Sequence, residues 1–482
     1  MSLEDIKKDR IKKLETYKKE SNPYPARVEK NISIEEILNN FSDLEKSQEK
    51  QSIVGRVMAF RDMGKIIFSD LSDETGKIQA VIKEGDVENF ELIQETVDIG
   101  DFLEIKGPVF ETKRGEKSLL ASSVLIATKS IRPIPKSFYG IEDTETKLRK
   151  RYLDLLLNKD IKDLFVKKNK FWKTVRNYLE ENEFLEVETP VLEAIPGGAE
   201  AEPFVTHHNA LDKDFYLRIS LELPLKKILV GGFEKVFEIG RIFRNEGMSK
   251  EHLQDYTQME CYRAYWDYND MMKFTEEMYK NIIKNIFGKL ETTYGENTID
   301  WSGEWEKVEY FKAFEKETGI DLNETSIDEL KEKAKELGIN LENNLGKGRL
   351  IDLIYKKTVR PKLIKPSFLI DPPIEVEPLA KRHEDNPNKV ERFQIVAAGT
   401  ELGKGFSELN DPQDQRERFE QQMKLREQGD DEAQMLSEDF LEALEYGMPP
   451  AAGFGMSERL FAVLMNRPVR ETVIFPLMRE DK

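Results

Sequence analysis

The stretch RIFRNEGMSKEHLQDYTQMECY, residues 241–262, gathers side chains able to handle a nucleotide. Arg244 offers a planar fork for a phosphate. Glu246 can accept from an exocyclic amine, and Tyr256 gives a ring for a base to stack on. His252 lies in the loop between the two apolar-flanked runs, in a chain with only four histidines. Side chains of a strand alternate faces. If DYTQMECYRAY is a strand, Tyr256, Gln258, Glu260 and Tyr262 share one face, and Thr257, Met259 and Cys261 share a face suited to a core. If the strand KVFEIGRIFRNE runs to its end, Arg244 and Glu246 point the same way. Two antiparallel strands would then bring arginine, carboxylates and aromatic rings to one pocket. An edge hairpin with a solvated charged face would carry the same residues.

Two other stretches carry similar chemistry. GFGMSERLFAVL, residues 453–464, reads as a glycine-rich strand entering a helix. Arg459 then falls in the first turns, where a phosphate also gains from the helix terminus. In GTELGKGFSELNDPQDQRERF, Glu401 and Glu408 flank a glycine pair. Acidic residues on such a strand suit a Mg²⁺ shared with phosphates. Asp411-Pro412 then starts a helix, as N-cap and first helical residue. The pair His207-His208 reads as structural, because neighbours on a strand face opposite ways and do not easily share a metal.

The elements that must position these residues are legible in outline. Residues 1–50 read as an N-terminal helical extension, its first part solvated or a basic arm for a nucleic acid. From Ile53 to Ala127, five short β-like runs separated by turn signals predict a small barrel of the oligonucleotide-binding type. Arg132–Gly140, with two prolines and a glycine, marks a linker, so the expected divisions are 51–132, a linker at 133–150 and 151–482. Leu164, Phe171, Val175 and Leu179 recur at helical spacing, and LEVETP follows as a strand stopped by Pro190. A mostly helical insertion is expected around 275–360, with Ser326 and Glu329 in a capping-box pattern. The fold class is α+β and multidomain.

With 39% apolar and 34% charged residues among 482, the chain reads as a globular protein with room for large cores. A single cysteine, Cys261, excludes a disulfide framework and a cysteine-rich zinc site. No apolar run suggests a signal peptide or a membrane span, so a cytoplasmic location is expected. The net charge of −18 argues weakly against a polyanion partner, although an acidic protein can hold a local basic groove.

With these residues in view, the chain resembles the class II lysyl-tRNA synthetases over roughly residues 50–480. The resemblance is carried by RYLDLL at 151, LEVETPVLEAIPGGAEAEPFVTHHNALDKDFYLRIS at 185 and ELPLKKILVGGFEKVFEIGRIFRNEG at 222. GFSELNDPQDQ at 405 and EALEYGMPPAAG at 442 add to it. It implies an OB-fold anticodon-binding domain and a class II catalytic domain, an antiparallel sheet flanked by helices. The long helix and the strand ending at Pro190 would form a homodimer interface. The implied activity is ATP-dependent ligation of L-lysine to tRNA(Lys) through a lysyl-adenylate, with Mg²⁺ as cofactor. Arg244 would hold the α-phosphate, Glu246 and Tyr256 the adenine, and His252 and Arg459 the terminal phosphates. Glu401 would bind Mg²⁺, and Gly198 and Glu222 would hold the α-amine of lysine. Glu260 and Glu408 would take the ε-ammonium, since a desolvated ammonium needs charge partners. Tyr262 and Phe406 would pack on its methylene stem. Arg61, Phe68 and Gln79 lie near positions used for anticodon bases, although Phe68 fits a barrel core equally well.

The sequence also departs from the family. Lys404, beside the substrate carboxylate, replaces a usual asparagine, and Gln394 replaces a second metal-binding glutamate. Glu251 stands where several members have a phosphate-binding arginine. The alternatives are a degenerate RNA-binding relative, or a ligase of the same fold using another amino acid or a protein acceptor.

Overall fold

The computed structural model of the chain describes residues 2–135, 143–247, 253–341, 345–430 and 432–479. It divides into two compact units, residues 1–143 and 144–482.

In the first unit seven strands form one sheet. The five expected runs become seven because two of them break. Pro108 has no N–H to give to a ladder and separates Phe102–Gly107 from Val109–Glu111. Ala121 and Ser122 likewise separate Lys117–Leu120 from Ser123–Thr128. Strand Ile66–Ser72 alternates strictly, with Ile67 and Leu71 at 0% exposure inside the barrel. Phe68 therefore faces outward, which resolves the sequence ambiguity. The N-terminal helix Leu3–Lys18 is docked onto the same unit rather than solvated. Tyr17 enters the barrel core, where its hydroxyl accepts from Ile126 N–H at 2.9 Å. The buried Arg10 donates to the carbonyls of Ile99 and Ser130 at 2.9 and 3.1 Å.

The second unit is built on an eight-stranded sheet. Its order is Glu306–Glu309, Ser367–Ile370, Arg392–Ala397, Thr400–Ser407, Ala451–Ser457, Asp255–Ala264, Lys235–Phe243 and Leu185–Glu186. Both edge pairings are parallel, and every pairing between them is antiparallel. The helix Lys159–Glu181 buries Leu164, Phe171, Val175 and Leu179, the spacing read from sequence, in one core with Met271, Met278 and Ile282 of helix Tyr268–Phe287. Helices Glu222–Val230, Pro412–Glu427 and Glu438–Glu445 share another core with Tyr262 and Phe406.

Several local expectations shift. LEVETP pairs over only Leu185–Glu186, because the Glu238 carboxylate takes the Thr189 N–H at 3.0 Å and its hydroxyl at 2.7 Å. The region 291–309 holds three short strands before the helices Tyr310–Thr318, Ile327–Glu336 and Lys347–Thr358. Ser326 caps its helix by accepting from Glu329 N–H, but the Glu329 carboxylate accepts from the Thr325 hydroxyl at 2.8 Å instead of closing the box. Asp411 and Pro412 start the helix Pro412–Glu427, as their types dictate. His207 and His208 are both exposed, and His207 Nδ1 lies 2.8 Å from an Asp214 carboxylate oxygen.

Candidate active site

The alternation expected for residues 255–264 holds. Met259 and Cys261 are fully buried behind the sheet, while Tyr256, Gln258, Glu260 and Tyr262 line a single cavity in front of it. The partner strand ends at Phe243, one residue short of Arg244. Arg244 and Glu246 still reach the cavity, because Arg244 N–H donates to the Gln254 carbonyl at 2.8 Å and keeps the hairpin closed beyond the strand. The Arg244 guanidinium lies 5.7 Å from the centre of the Tyr256 ring, and its Nε donates to the Ile219 carbonyl at 3.2 Å. His252 and Glu251 lie outside the described residues.

The cavity also receives Gly198, Glu222, Gln394, Glu401, Lys404, Phe406 and Arg459. These come from two strands, two helices and a loop. Glycines open the floor: a Cβ at Gly453 would collide with Glu408 and Tyr262. Gly198 has φ of +85°, and a Cβ there would approach Glu222 Cβ to 2.8 Å.

At one end the charges are cationic around one carboxylate. Burial pushes the Glu401 carboxyl up, but Arg459 and Arg392 outweigh it and hold it at about 2. Gln394 is buried, and its Oε1 accepts from the Tyr355 hydroxyl at 2.8 Å. Among the described residues no group of three or more His, Cys, Asp or Glu could hold a metal ion. Glu401 and the neutral Gln394 both line the cavity.

At the other end the site is anionic. Glu260 is 3% exposed and receives four donors. Its Oε1 accepts from Ser220 Oγ at 2.7 Å, Leu221 N–H at 3.0 Å and Gln258 Nε2 at 2.5 Å. Its Oε2 accepts from the Tyr262 hydroxyl at 2.8 Å. Neutral donors thus fix this carboxylate without cancelling its charge. Glu222 is buried, and burial raises its carboxyl to about 7 against the pull of Lys226. Glu408 stands apart from the other expected residues. It does not line the cavity, has no side-chain exposure and is ion-paired to Lys226.

The structure adds residues that sequence reading missed. The buried Glu377 accepts from Lys404 Nζ at 2.7 Å and lies 3.3 Å from Arg392 Nε. Lys404, which departs from the usual asparagine, therefore arrives with its own counter-ion. In the sequence Glu377 is only one of two glutamates among the three prolines of PPIEVEP, which does not single it out. Lys226 gave no signal, since its segment LPLKKILV reads as an ordinary amphipathic helix.

In the first unit, Arg61 and Phe68 are cross-strand neighbours, and Gln79 is paired with Asp70 on the next strand. Arg61 donates to Asp70 at 2.9 Å, and Gln79 Oε1 accepts from Ser118 Oγ at 3.2 Å. The three residues form one polar-aromatic strip on the outer side of the barrel.

Comparison with known proteins agrees with this division. Residues 143–479 match the family of tRNA synthetases class II (D, K and N), and residues 51–127 match the OB-fold nucleic acid binding domain. The chain is 43% identical to the lysine--tRNA ligase of Carboxydothermus hydrogenoformans, over 99% of this chain and 98% of that protein. It is 42% identical to that of Halalkalibacterium halodurans, with the same coverage. For Bacillus subtilis the figure is 41%, over 95% of this chain and 94% of the relative. With a catalytic sheet, a barrel and near-complete coverage in agreement, the chain belongs to the class II lysyl-tRNA synthetases.

Proposed function

We propose that the chain ligates L-lysine to tRNA(Lys) in two steps. The carboxylate of lysine attacks the α-phosphorus of ATP, forming lysyl-adenylate and releasing pyrophosphate. A terminal ribose hydroxyl of the tRNA then attacks the adenylate carbonyl, loses its proton, and AMP departs. The observation that carries this reading is Glu260, a buried carboxylate facing the cavity and held by four neutral donors. Such a group favours an ammonium and penalises a neutral side chain of the same length. Tyr262 and Phe406 supply an apolar sleeve beside it.

No protein nucleophile takes part. Cys261 is fully buried behind the sheet, and burial raises its thiol, so no thiolate forms there. The chain contributes position and charge. Arg244 neutralises charge on the α-phosphate while Tyr256 stacks on adenine and Glu246 accepts from its amine. Arg459 meets the outer phosphates. Lys404, steadied by Glu377, meets the substrate carboxylate or the phosphate it joins. His252 is proposed at the terminal phosphates on the resemblance alone.

The donor set fits one Mg²⁺ carried by the ATP phosphates, since Mg²⁺ is commonly held by one or two carboxylates plus phosphate oxygens. Glu401 would anchor it and the ion would offset phosphate charge. Gln394, neutral and committed to Tyr355, does not fit as a ligand of a second ion.

Arg61, Phe68 and Gln79 are proposed to read anticodon bases, with Phe68 as the stacking platform. A homodimer is proposed through the long helix and the segment ending at Pro190, with the residues just beyond it. The exposed apolar side chains Val166, Leu185, Val191, Leu192 and Ile195 support it. No helix among the described residues is long and apolar enough to cross a membrane, and a cytoplasmic location is proposed.

Amino-acid-dependent ATP–pyrophosphate exchange across all twenty amino acids tests the reading. Exchange with lysine alone is expected. Exchange with a neutral amino acid instead would overturn the role given to Glu260.

A further inference from the structure

Beneath the amino-acid end of the cavity lies a buried ionic cluster centred on Lys226, a residue that none of the steps above uses. Lys226 has no side-chain exposure. Its ammonium contacts Glu222 Oε1 at 2.5 Å, one turn earlier on the same helix, and it also contacts Glu408, which follows strand Thr400–Ser407. It sits 5.2 Å from the centre of the Phe406 ring. Among the described residues no other donor reaches either oxygen of Glu408. The remaining charged or titratable neighbours are Glu260 and Tyr262 on strand Asp255–Ala264, and Glu377 with its partner Lys404.

We infer that Lys226 is a built-in counter-cation, a positioning residue that holds Glu222 ready for a substrate ammonium by sharing its charge between Glu222 and Glu408. The charge count supports this. Glu222, Glu260 and Glu408 face one resident ammonium, and L-lysine brings two more, one for each carboxylate left over. Without Lys226 the dry carboxylates would repel each other and retain protons, and a protonated carboxyl cannot pair with an ammonium. This inference rests on the lysine-ligation reading.

The test is the pH profile of the lysine KM in pyrophosphate exchange, from pH 6 to 9, for the full-length wild type and Lys226→Met. The variant should need at least about tenfold more lysine at pH 7, and its profile should move up by at least about one pH unit. Its ATP KM should stay within about threefold of wild type, because the ATP groups are elsewhere in the cavity. A profile parallel to wild type, or lysine and ATP KM rising together, overturns the inference. Where Lys226→Met does not fold, Lys226→Met with Glu408→Gln removes one charge of each sign, a change that buried pairs tolerate. That pair should also show the displaced profile, and a wild-type profile in it overturns the inference. Absence of lysine-dependent exchange in the wild type is the separate outcome that removes the functional reading and this inference with it.

Discussion

Glu260→Gln isolates the charge on which lysine recognition depends. Oε1 receives three donors and Oε2 one, from the Tyr262 hydroxyl. A glutamine can keep its carbonyl oxygen where Oε1 stands and turn its amide nitrogen towards Tyr262, whose hydroxyl can accept as well as donate. The fold should therefore survive with a loss of about 1 kcal/mol, the net worth of one perturbed hydrogen bond. The substrate loses far more. A hydrogen bond to a charged group is worth about 1.5–3 kcal/mol, and Coulomb attraction at roughly 4 Å near a protein surface is about 4 kcal/mol. A penalty of about 2–4 kcal/mol corresponds to a lysine KM raised about 30- to 1,000-fold. The assay is pyrophosphate exchange with lysine varied at saturating ATP, then ATP varied at the highest lysine, with a melting curve as control. A lysine KM within about threefold of wild type in a folded variant would refute the assignment of Glu260 as the ammonium's counter-charge.

Arg244→Ala should lower the exchange rate by about 10²–10³-fold, the usual loss when one preorganised donor to a transition-state oxyanion is removed, and stopped-flow adenylate formation would measure it. Phe68→Ala should weaken tRNA binding while leaving exchange and melting temperature unchanged, since Phe68 faces out of the barrel; a filter-binding titration beside a thermal melt checks both. The pH dependence follows from Glu222, whose carboxyl is raised by burial to about 7. An ammonium binds its ionised form, so lysine affinity should fall as pH drops through about 7, approaching tenfold per unit below it, and Glu222→Gln should remove that dependence. Gln394→Glu should lower the Mg²⁺ concentration needed for half-maximal exchange, because it adds a carboxylate near Glu401.

The sequence was most informative where one periodicity governed several residues. Period-two alternation placed Tyr256, Gln258, Glu260 and Tyr262 together, because a strand with one core face leaves its other face no freedom. The helix around Phe171 was legible for the same reason. What stayed hidden depends on contacts between distant segments. Lys226 and Glu408 are 182 positions apart in the chain, and only the packing of a helix against the strand end joins them. Glu377 and Lys404 likewise meet by tertiary folding, so the lysine looked like an unexplained departure until its counter-ion appeared. The N-terminal helix read as solvated because Lys and Glu dominate it, yet Tyr17, Leu14 and Arg10 are buried and Lys13 pairs with Asp98. Pro108 was visible, but its effect, breaking one β run into two strands, depended on the ladder it interrupts.

The most direct measurement is aminoacylation itself. Purified protein, ATP, Mg²⁺, labelled L-lysine and a tRNA(Lys) transcript should yield lysine esterified to the terminal ribose, released by mild base, with one AMP formed per lysine attached. Steady AMP formation with lysine but no lysine on the tRNA would contradict the account and point to a different acceptor.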